Sequence, residues 1–188
     1  MTDASALGSG HDAAHDAPEV LSSERIYDRW LGLRVDKLRY PSGYETSHDV
    51  VEHHGGVTLL PIDAEGNVLF VSQYRHPIGR VLLELPAGTL DGGEDPEVCA
   101  QRELQEETGY RAANIERIGG FYSAPGYCTE YLPVYLCTEL VESRLQGDED
   151  SIEVVRIPFD DALRMVAAGE IEDAKSLAAL LLYNLRPT

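Results

Sequence analysis

Three glutamates, Glu103, Glu106 and Glu107, sit at i, i+3 and i+4 in a segment that reads as a helix. At about 100° per residue they share one arc of the helix surface. Like charges so placed repel by roughly 0.2–0.5 kcal/mol per pair on an exposed helix. Arg102 and Arg111 offset only part of that repulsion. Clustered hard oxygen donors of this kind suit Mg²⁺ or Mn²⁺. The three carboxylates alone fit a solvated acidic helix face as well, and the residues before them narrow the choice. Gly88 follows the extended Glu84-Leu85-Pro86-Ala87, so a strand enters a tight loop. Gly92-Gly93 lets that loop fold back to the helix start. Leu104 points away from the carboxylate arc and can anchor the helix in a core. Strand, glycine loop and acidic helix together assemble one metal pocket.

The elements that position this pocket can be read from local signals. Asp95 is a helix N-cap, Pro96 takes the first helical position and Gly109 is a stop. Alternating or continuous apolar runs predict strands at Leu31–Val35, His48–His54, Val57–Ile62, Val68–Tyr74 and Val81–Leu85, with a hairpin turn over Asp63–Asn67. Further strands are predicted at Ile115–Tyr122, Tyr131–Leu140 and Ile152–Ile157, with an acidic loop at Ser143–Asp150. Two helices close the chain, from near Asp160 to Gly169 and from near Asp173 to about Leu185. Strands with helices between and after them argue for a layered α+β domain. Residues 1–19, rich in Ala, Gly, Ser, Asp and His, carry no apolar periodicity and read as a disordered tail. Residues 20–54 form an N-terminal strand region and residues 55–188 the main domain.

Composition excludes more than it identifies. The formal net charge is −18 over 188 residues. Such a surface repels nucleic acid and anionic lipid, so neither is an expected partner. It also repels a phosphate-bearing substrate unless metal ions reverse the local sign. No apolar run approaches the ~20 residues that span a bilayer; Leu177–Tyr183 is the longest. The N-terminus lacks a basic region followed by an apolar stretch. Cys99, Cys128 and Cys137 form neither a disulfide framework nor a zinc pattern, which makes a reducing cytoplasm the default. His53 and His54 are adjacent, so in a strand they face opposite sides.

The stretch from Gly88 to Tyr110 resembles the Nudix box, Gly-x5-Glu-x7-Arg-Glu-aliphatic-x-Glu-Glu-x-Gly-aliphatic. Gly88, Glu94, Arg102, Glu103, Leu104, Glu106, Glu107 and Gly109 all match; Tyr110 replaces the last aliphatic residue. The flanks Ser72–Pro77, Leu83–Gly88 and Tyr122–Gly126, with Pro125, resemble the ADP-ribose pyrophosphatase branch. Enzymes that cleave other nucleoside diphosphate sugars share them. The resemblance implies a Nudix fold, a mixed β-sheet sandwiched between α-helices with N-terminal antiparallel strands. It implies Mg²⁺- or Mn²⁺-dependent hydrolysis of ADP-ribose to AMP and ribose 5-phosphate, by a homodimer whose N-terminal strands complete the partner's site. The alternatives are a pyrophosphatase for another sugar nucleotide and a non-catalytic ADP-ribose sensor. The retained carboxylates, and a tail too short for a DNA-binding domain, speak against the sensor.

The resemblance also assigns roles. Glu103 and Glu107 are the main metal ligands, Glu106 a further one directly or through water, and the Ala87 carbonyl an additional one. Arg102 orients a glutamate, and Glu94 organises the loop against the helix. Arg75 grips the diphosphate or is simply an exposed strand-end arginine. Glu84 accepts from ribose hydroxyls or caps its strand. Ser123 and Glu130 line the pocket. Trp30, Tyr27 and Tyr44 are aromatics that stack on adenine or serve core or dimer packing; in a dimer, Trp30 serves the opposite subunit's site. The catalytic base is placed in the loop Gly147–Ser151, at Glu149 or, one residue on, Asp150.

Overall fold

The computed structural model describes residues 17–146 and 152–187. They divide between His53 and His54 into two compact units, with Gly126–Cys128 belonging to the first. The first unit is an antiparallel meander of β1 (Glu19–Asp28), β2 (Gly32–Arg39) and β3 (Glu45–Glu52), in the order β1-β2-β3. The Val51 N–H donates to the Tyr127 carbonyl at 2.7 Å, which attaches the 126–128 segment to β3. Every residue of β1 is exposed, so cross-strand pairing with β2 and ion pairs define it. Arg39 meets Glu19 at 3.3 Å, and Arg25 meets Glu52 at 2.6 Å. Glu19, which opens β1, is the last residue of the stretch that reads as tail.

The second unit holds two sheets and three helices. One sheet has the order β10-β5-β6 and the other β7-β4-β9-β8. Their strands are β4 (Gly56–Pro61), β5 (Asn67–Arg75), β6 (Arg80–Glu84), β7 (Ala87–Thr89), β8 (Tyr110–Tyr122), β9 (Tyr131–Glu142) and β10 (Glu153–Pro158). The helices are α1 (Pro96–Glu103), α2 (Phe159–Ala168) and α3 (Ala174–Asn184). β4 pairs parallel with β9 and antiparallel with β7. All six residues of β4 are buried, as a strand covered on both faces requires. Their alternation sorts them between two cores. Val57 and Leu59 join Tyr135 and Cys137 of β9 against Cys99, Ala100 and Leu104 of the acidic helix. Leu60 joins Val134 and Leu136 against Ala162 of α2 and Ala179 and Leu180 of α3. The sheet therefore carries helices on both faces, the layered mixed α+β architecture expected from the element order.

Three local expectations are corrected. β8 starts at Tyr110, not Ile115, because Tyr110, Arg111 and Ala112 pair with Glu142, Val141 and Leu140 of β9. Gly88, read as the entry to a tight loop, lies instead within a short strand, β7, held by Gly56↔Thr89 and Thr58↔Ala87 pairing. The acidic helix is not α-helical throughout: after Glu103 it widens into a π-helical turn, Leu104–Thr108, before Gly109 stops it at φ 79°.

Candidate active site

The site begins where β7 meets the acidic helix. A Cβ on Gly88 would lie 1.8 Å from Glu103 Cδ and 1.9 Å from its Oε1. Only a residue without a side chain lets the Glu103 carboxylate rest on this backbone. Opposite, a Cβ on Gly56 would meet the Gly88 carbonyl oxygen at 2.5 Å, so two glycines permit the β4–β7 approach. The helix starts at Asp95, whose side chain accepts from the Glu97 N–H at 2.9 Å, with Pro96 following.

One guanidinium organises the carboxylates. Arg102 donates through Nε and Nη2 to both oxygens of Glu94, at 3.1 and 2.9 Å. Its Nη1 donates to Glu103 at 2.7 Å and Glu106 at 3.1 Å. The pairing of Arg102 with a box glutamate thus extends to three. Glu107 accepts from the Ala87 N–H at 3.1 Å, which fastens the π-helical turn to β7. Such wide turns are frequent at functional sites. Here it changes the register of Glu106 and Glu107 relative to Glu103, so the single α-helical arc expected from sequence does not describe them.

The electrostatics follow from these contacts. The Arg102 hydrogen bond holds the Glu94 carboxyl down at about 2, against the opposing effect of burial and with help from the Asp91 N–H. Burial instead pushes the Glu103 carboxyl up, Arg102 opposing and Glu106 and Glu94 assisting. Burial also pushes the Cys99 and Cys137 thiols up to about 12, so neither is a thiolate nucleophile at neutral pH. Glu94 carries a consequence for acid stability. Its folded value lies below the ordinary 4.5, so the stabilisation is present above pH 4.5 and is lost as pH falls towards about 2. In chelator-treated protein, Glu94→Gln is expected to flatten the profile of Tm against pH over that window. An unchanged profile would show that this pair does not shape it.

The flanking candidates fall into separate groups. Arg75, at the end of β5, and Glu84, at the end of β6, form a forked ion pair at 2.8 and 2.7 Å. Glu84 is 1% exposed, and Arg75 and Lys175 together keep its carboxyl below the ordinary range despite burial. Ser123 and Glu130 face each other across the β8–β9 connection, the Ser123 N–H donating to the Glu130 carbonyl at 3.2 Å. Trp30 is 68% exposed and lies edge-on to His53, with ring centroids 6.2 Å apart. Glu149 and Asp150 lie outside the described residues. Up to Gln146 the loop stem is tied to the box helix. The Gln105 amide donates to the Ser143 carbonyl and hydroxyl at 3.2 and 3.0 Å, and the Ser143 N–H to the Gly109 carbonyl at 2.8 Å.

A model of the NUDIX domain matches residues 52–180, well over half of the chain. The chain belongs to the NUDIX domain family. Two relatives are named ADP-ribose pyrophosphatase. The Bacillus subtilis (strain 168) protein is 37% identical, over 89% of this chain and 93% of its own length. The Mycobacterium tuberculosis (strain ATCC 25618 / H37Rv) protein is 39% identical, over 90% and 84%. A GDP-mannose pyrophosphatase of Yersinia pestis (strain Pestoides F) is 34% identical, over 86% and 89%. The solved structure of an ADP compounds hydrolase superposes with a TM-score of 0.80 at 22% identity, over 89% of this chain and 92% of its own, and shows the same fold.

In this Nudix chain no three His, Cys, Asp or Glu side chains converge as a metal cage among the described residues. The donor set nevertheless fits a hard divalent cation. Glu94, Glu103 and Glu106 already gather around one cationic group, Arg102, and Glu103 and Glu107 both border the Ala87–Gly88 backbone. Sequence reasoning passed over Lys175, which reaches both Glu84 and Asp173. One signal was available. A lysine in the first turn of a helix that begins near Asp173 faces the positive end of the helix dipole and needs an anionic partner.

Proposed function

We propose that this Nudix hydrolase cleaves the pyrophosphate bond of ADP-ribose to AMP and ribose 5-phosphate, using Mg²⁺ or Mn²⁺ held by Glu103, Glu106, Glu107 and the Ala87 carbonyl. The observation that carries the reading is the carboxylate cluster gathered about Arg102 and Gly88, in a chain whose relatives include two enzymes named for ADP-ribose. The divalent ion, when bound, offsets the diphosphate charge and acidifies the attacking water. The chain's own residues do the rest. Arg102 holds Glu103 and Glu106 in place by charge-assisted hydrogen bonds. Arg75 binds the diphosphate, and Glu84 fixes the plane of its guanidinium. Glu149 takes the water proton. The water oxygen bonds to one phosphorus while the bridging P–O bond breaks, and the other phosphate leaves. Ser123 and Glu130 line the substrate pocket.

The test is turnover of a panel of ADP-ribose, GDP-mannose and UDP-glucose, with and without EDTA. ADP-ribose is expected to have the highest kcat/KM, and EDTA to abolish activity that Mg²⁺ or Mn²⁺ restores. Undiminished turnover in metal-stripped protein would refute the mechanism. A higher kcat/KM for GDP-mannose would favour the second reading, which rests on the Yersinia relative.

A homodimer is part of the same proposal. The first unit exposes Val20, Ile26, Tyr27, Trp30 and Tyr44, apolar surface that a second copy would cover. We place Trp30 against the adenine of the opposite subunit's substrate. Light scattering should give twice the chain mass; a fully active monomer would remove the shared site. A cytoplasmic setting fits the unbridged thiols of Cys99 and Cys137. Among the described residues no helix is long and apolar enough to cross a membrane.

A further inference from the structure

A second charge cluster joins the ends of β5 and β6 to the start of α3. Glu84 Oε1 accepts from Arg75 Nε at 2.8 Å, and Oε2 from Arg75 Nη2 at 2.7 Å and from Lys175 Nζ. Lys175 Nζ also meets Asp173 Oδ1 at 3.1 Å. Asp173 Oδ2 accepts from the Ser176 N–H at 3.0 Å and its hydroxyl at 2.6 Å. The Ser176 Oγ in turn accepts from the Leu85 N–H at 2.7 Å. The network joins the start of α3 to β6 and to the residue that precedes Pro86-Ala87-Gly88.

Stability alone does not account for its composition. One forked arginine already satisfies both oxygens of a buried carboxylate, and a second buried cation adds a desolvation cost. Lys175 also sits in the first turn of α3, the unfavourable end for a cation. What Lys175 changes is the charge that Arg75 presents. An isolated Arg75–Glu84 pair is internally neutral and attracts an anion weakly. Lys175 and Asp173 add one charge of each sign, so the four side chains stay neutral in sum; Lys175 lies against the buried Glu84 carboxylate and leaves the exposed end of the cluster to Arg75. The Asp173 charge is itself met at the α3 N-terminus by Ser176. Of the four charged side chains, Arg75 is the most exposed, at 37% against 2% for Glu84, 12% for Lys175 and 15% for Asp173.

We infer that Lys175 is a positioning residue for substrate binding: by sharing Glu84 it fixes the Arg75 guanidinium and preserves its charge for an anionic group, the diphosphate of the substrate. The inference rests on the reaction proposed above and on Arg75 as its diphosphate contact.

A double-mutant cycle of Lys175→Met and Arg75→Ala with ADP-ribose tests it. Wild-type turnover, and a raised KM in Arg75→Ala, first establish the underlying reading; failure of either overturns that reading and the inference with it. Given both, Lys175→Met should raise KM about 10-fold while kcat stays within about twofold, the pattern of lost uniform binding. Lys175→Arg, which keeps the charge, should recover most of the loss. In the Arg75→Ala background the same Lys175→Met change should alter KM by less than about twofold, because the two residues act as one unit. An equal rise in both backgrounds, or a loss confined to kcat, overturns the inference. KM does not depend on the folded fraction, so a less stable variant still gives the reading. Lys175→Gln, which keeps a donor to Glu84, provides a second uncharged variant.

Discussion

Gly88→Ala is expected to lower kcat/KM for ADP-ribose by at least about 10²-fold, the scale of a misplacement of about 1 Å in a catalytic array. The added methyl would stand 1.8 Å from Glu103 Cδ and 2.3 Å from Cγ. Neither group can absorb that overlap cheaply. Gly88 is paired with Val57 of β4, a strand buried along its whole length. Glu103 is the last residue of α1, and Leu104 next to it is fully buried. The carboxylate must swing off the β7 backbone, or β7 must part from β4. Either movement separates Glu103 from the Ala87 carbonyl with which it is proposed to share a metal. The measurement is kcat/KM against Mg²⁺ concentration, with far-UV circular dichroism and Tm to confirm a folded variant. A folded Gly88→Ala protein with wild-type turnover at ordinary Mg²⁺ would show that the Glu103 position is irrelevant to catalysis. The contrast is Gly93, needed for its backbone at φ 84° but with open space around it. Gly93→Ala should cost stability more than turnover.

The second large effect concerns the base. Glu149→Gln should lower kcat by about 10²–10⁴-fold, the usual worth of a positioned general base. Metal affinity should hold, because the 147–151 loop is separate in sequence from the box helix. The companion variant is Asp150→Asn. A crippled Asp150→Asn beside a benign Glu149→Gln would move the base by one residue. Two benign variants would leave that role to a box glutamate or to metal-bound hydroxide. The described chain before it, up to Gln146, is anchored on the box helix through Gln105 and Gly109.

Much of this architecture was legible because its signals are local. Asp95, Pro96 and Gly109 mark the ends of the acidic helical segment, and the structure places the cap, the first helical residue and the left-handed stop at those residues. The β4–β5 hairpin is as readable, since the Asp63 side chain accepts from the Glu65 and Asn67 N–H groups, a turn device that needs no distant partner. The features that escaped depend on distant partners or on register. β1 has no buried face, so no apolar pattern announces it; its identity comes from pairing with β2. The π-helical turn has no composition of its own. It places Leu104 and Thr108 in the interior and ties Glu107 to Ala87, a contact between residues 20 apart. Glu84 and Lys175 are 91 residues apart, so their pairing could not be read from spacing. Their one trace in the sequence was a lysine at the wrong end of a helix.

The strand that supports Gly88 also determines how this unit comes apart. β4 gives Val57 and Leu59 to the core under the acidic helix and Leu60 to the core under α2 and α3. β4 cannot leave the sheet without opening both cores at once. Partial unfolding that releases one layer and spares the other is therefore suppressed, and the unit is expected to melt as one cooperative block. The amide protons of β4 should exchange with solvent only when the whole block unfolds. The carboxylate cluster, carried on the helical segment that packs against β4 and rests on β7, thereby shares the global stability of the unit.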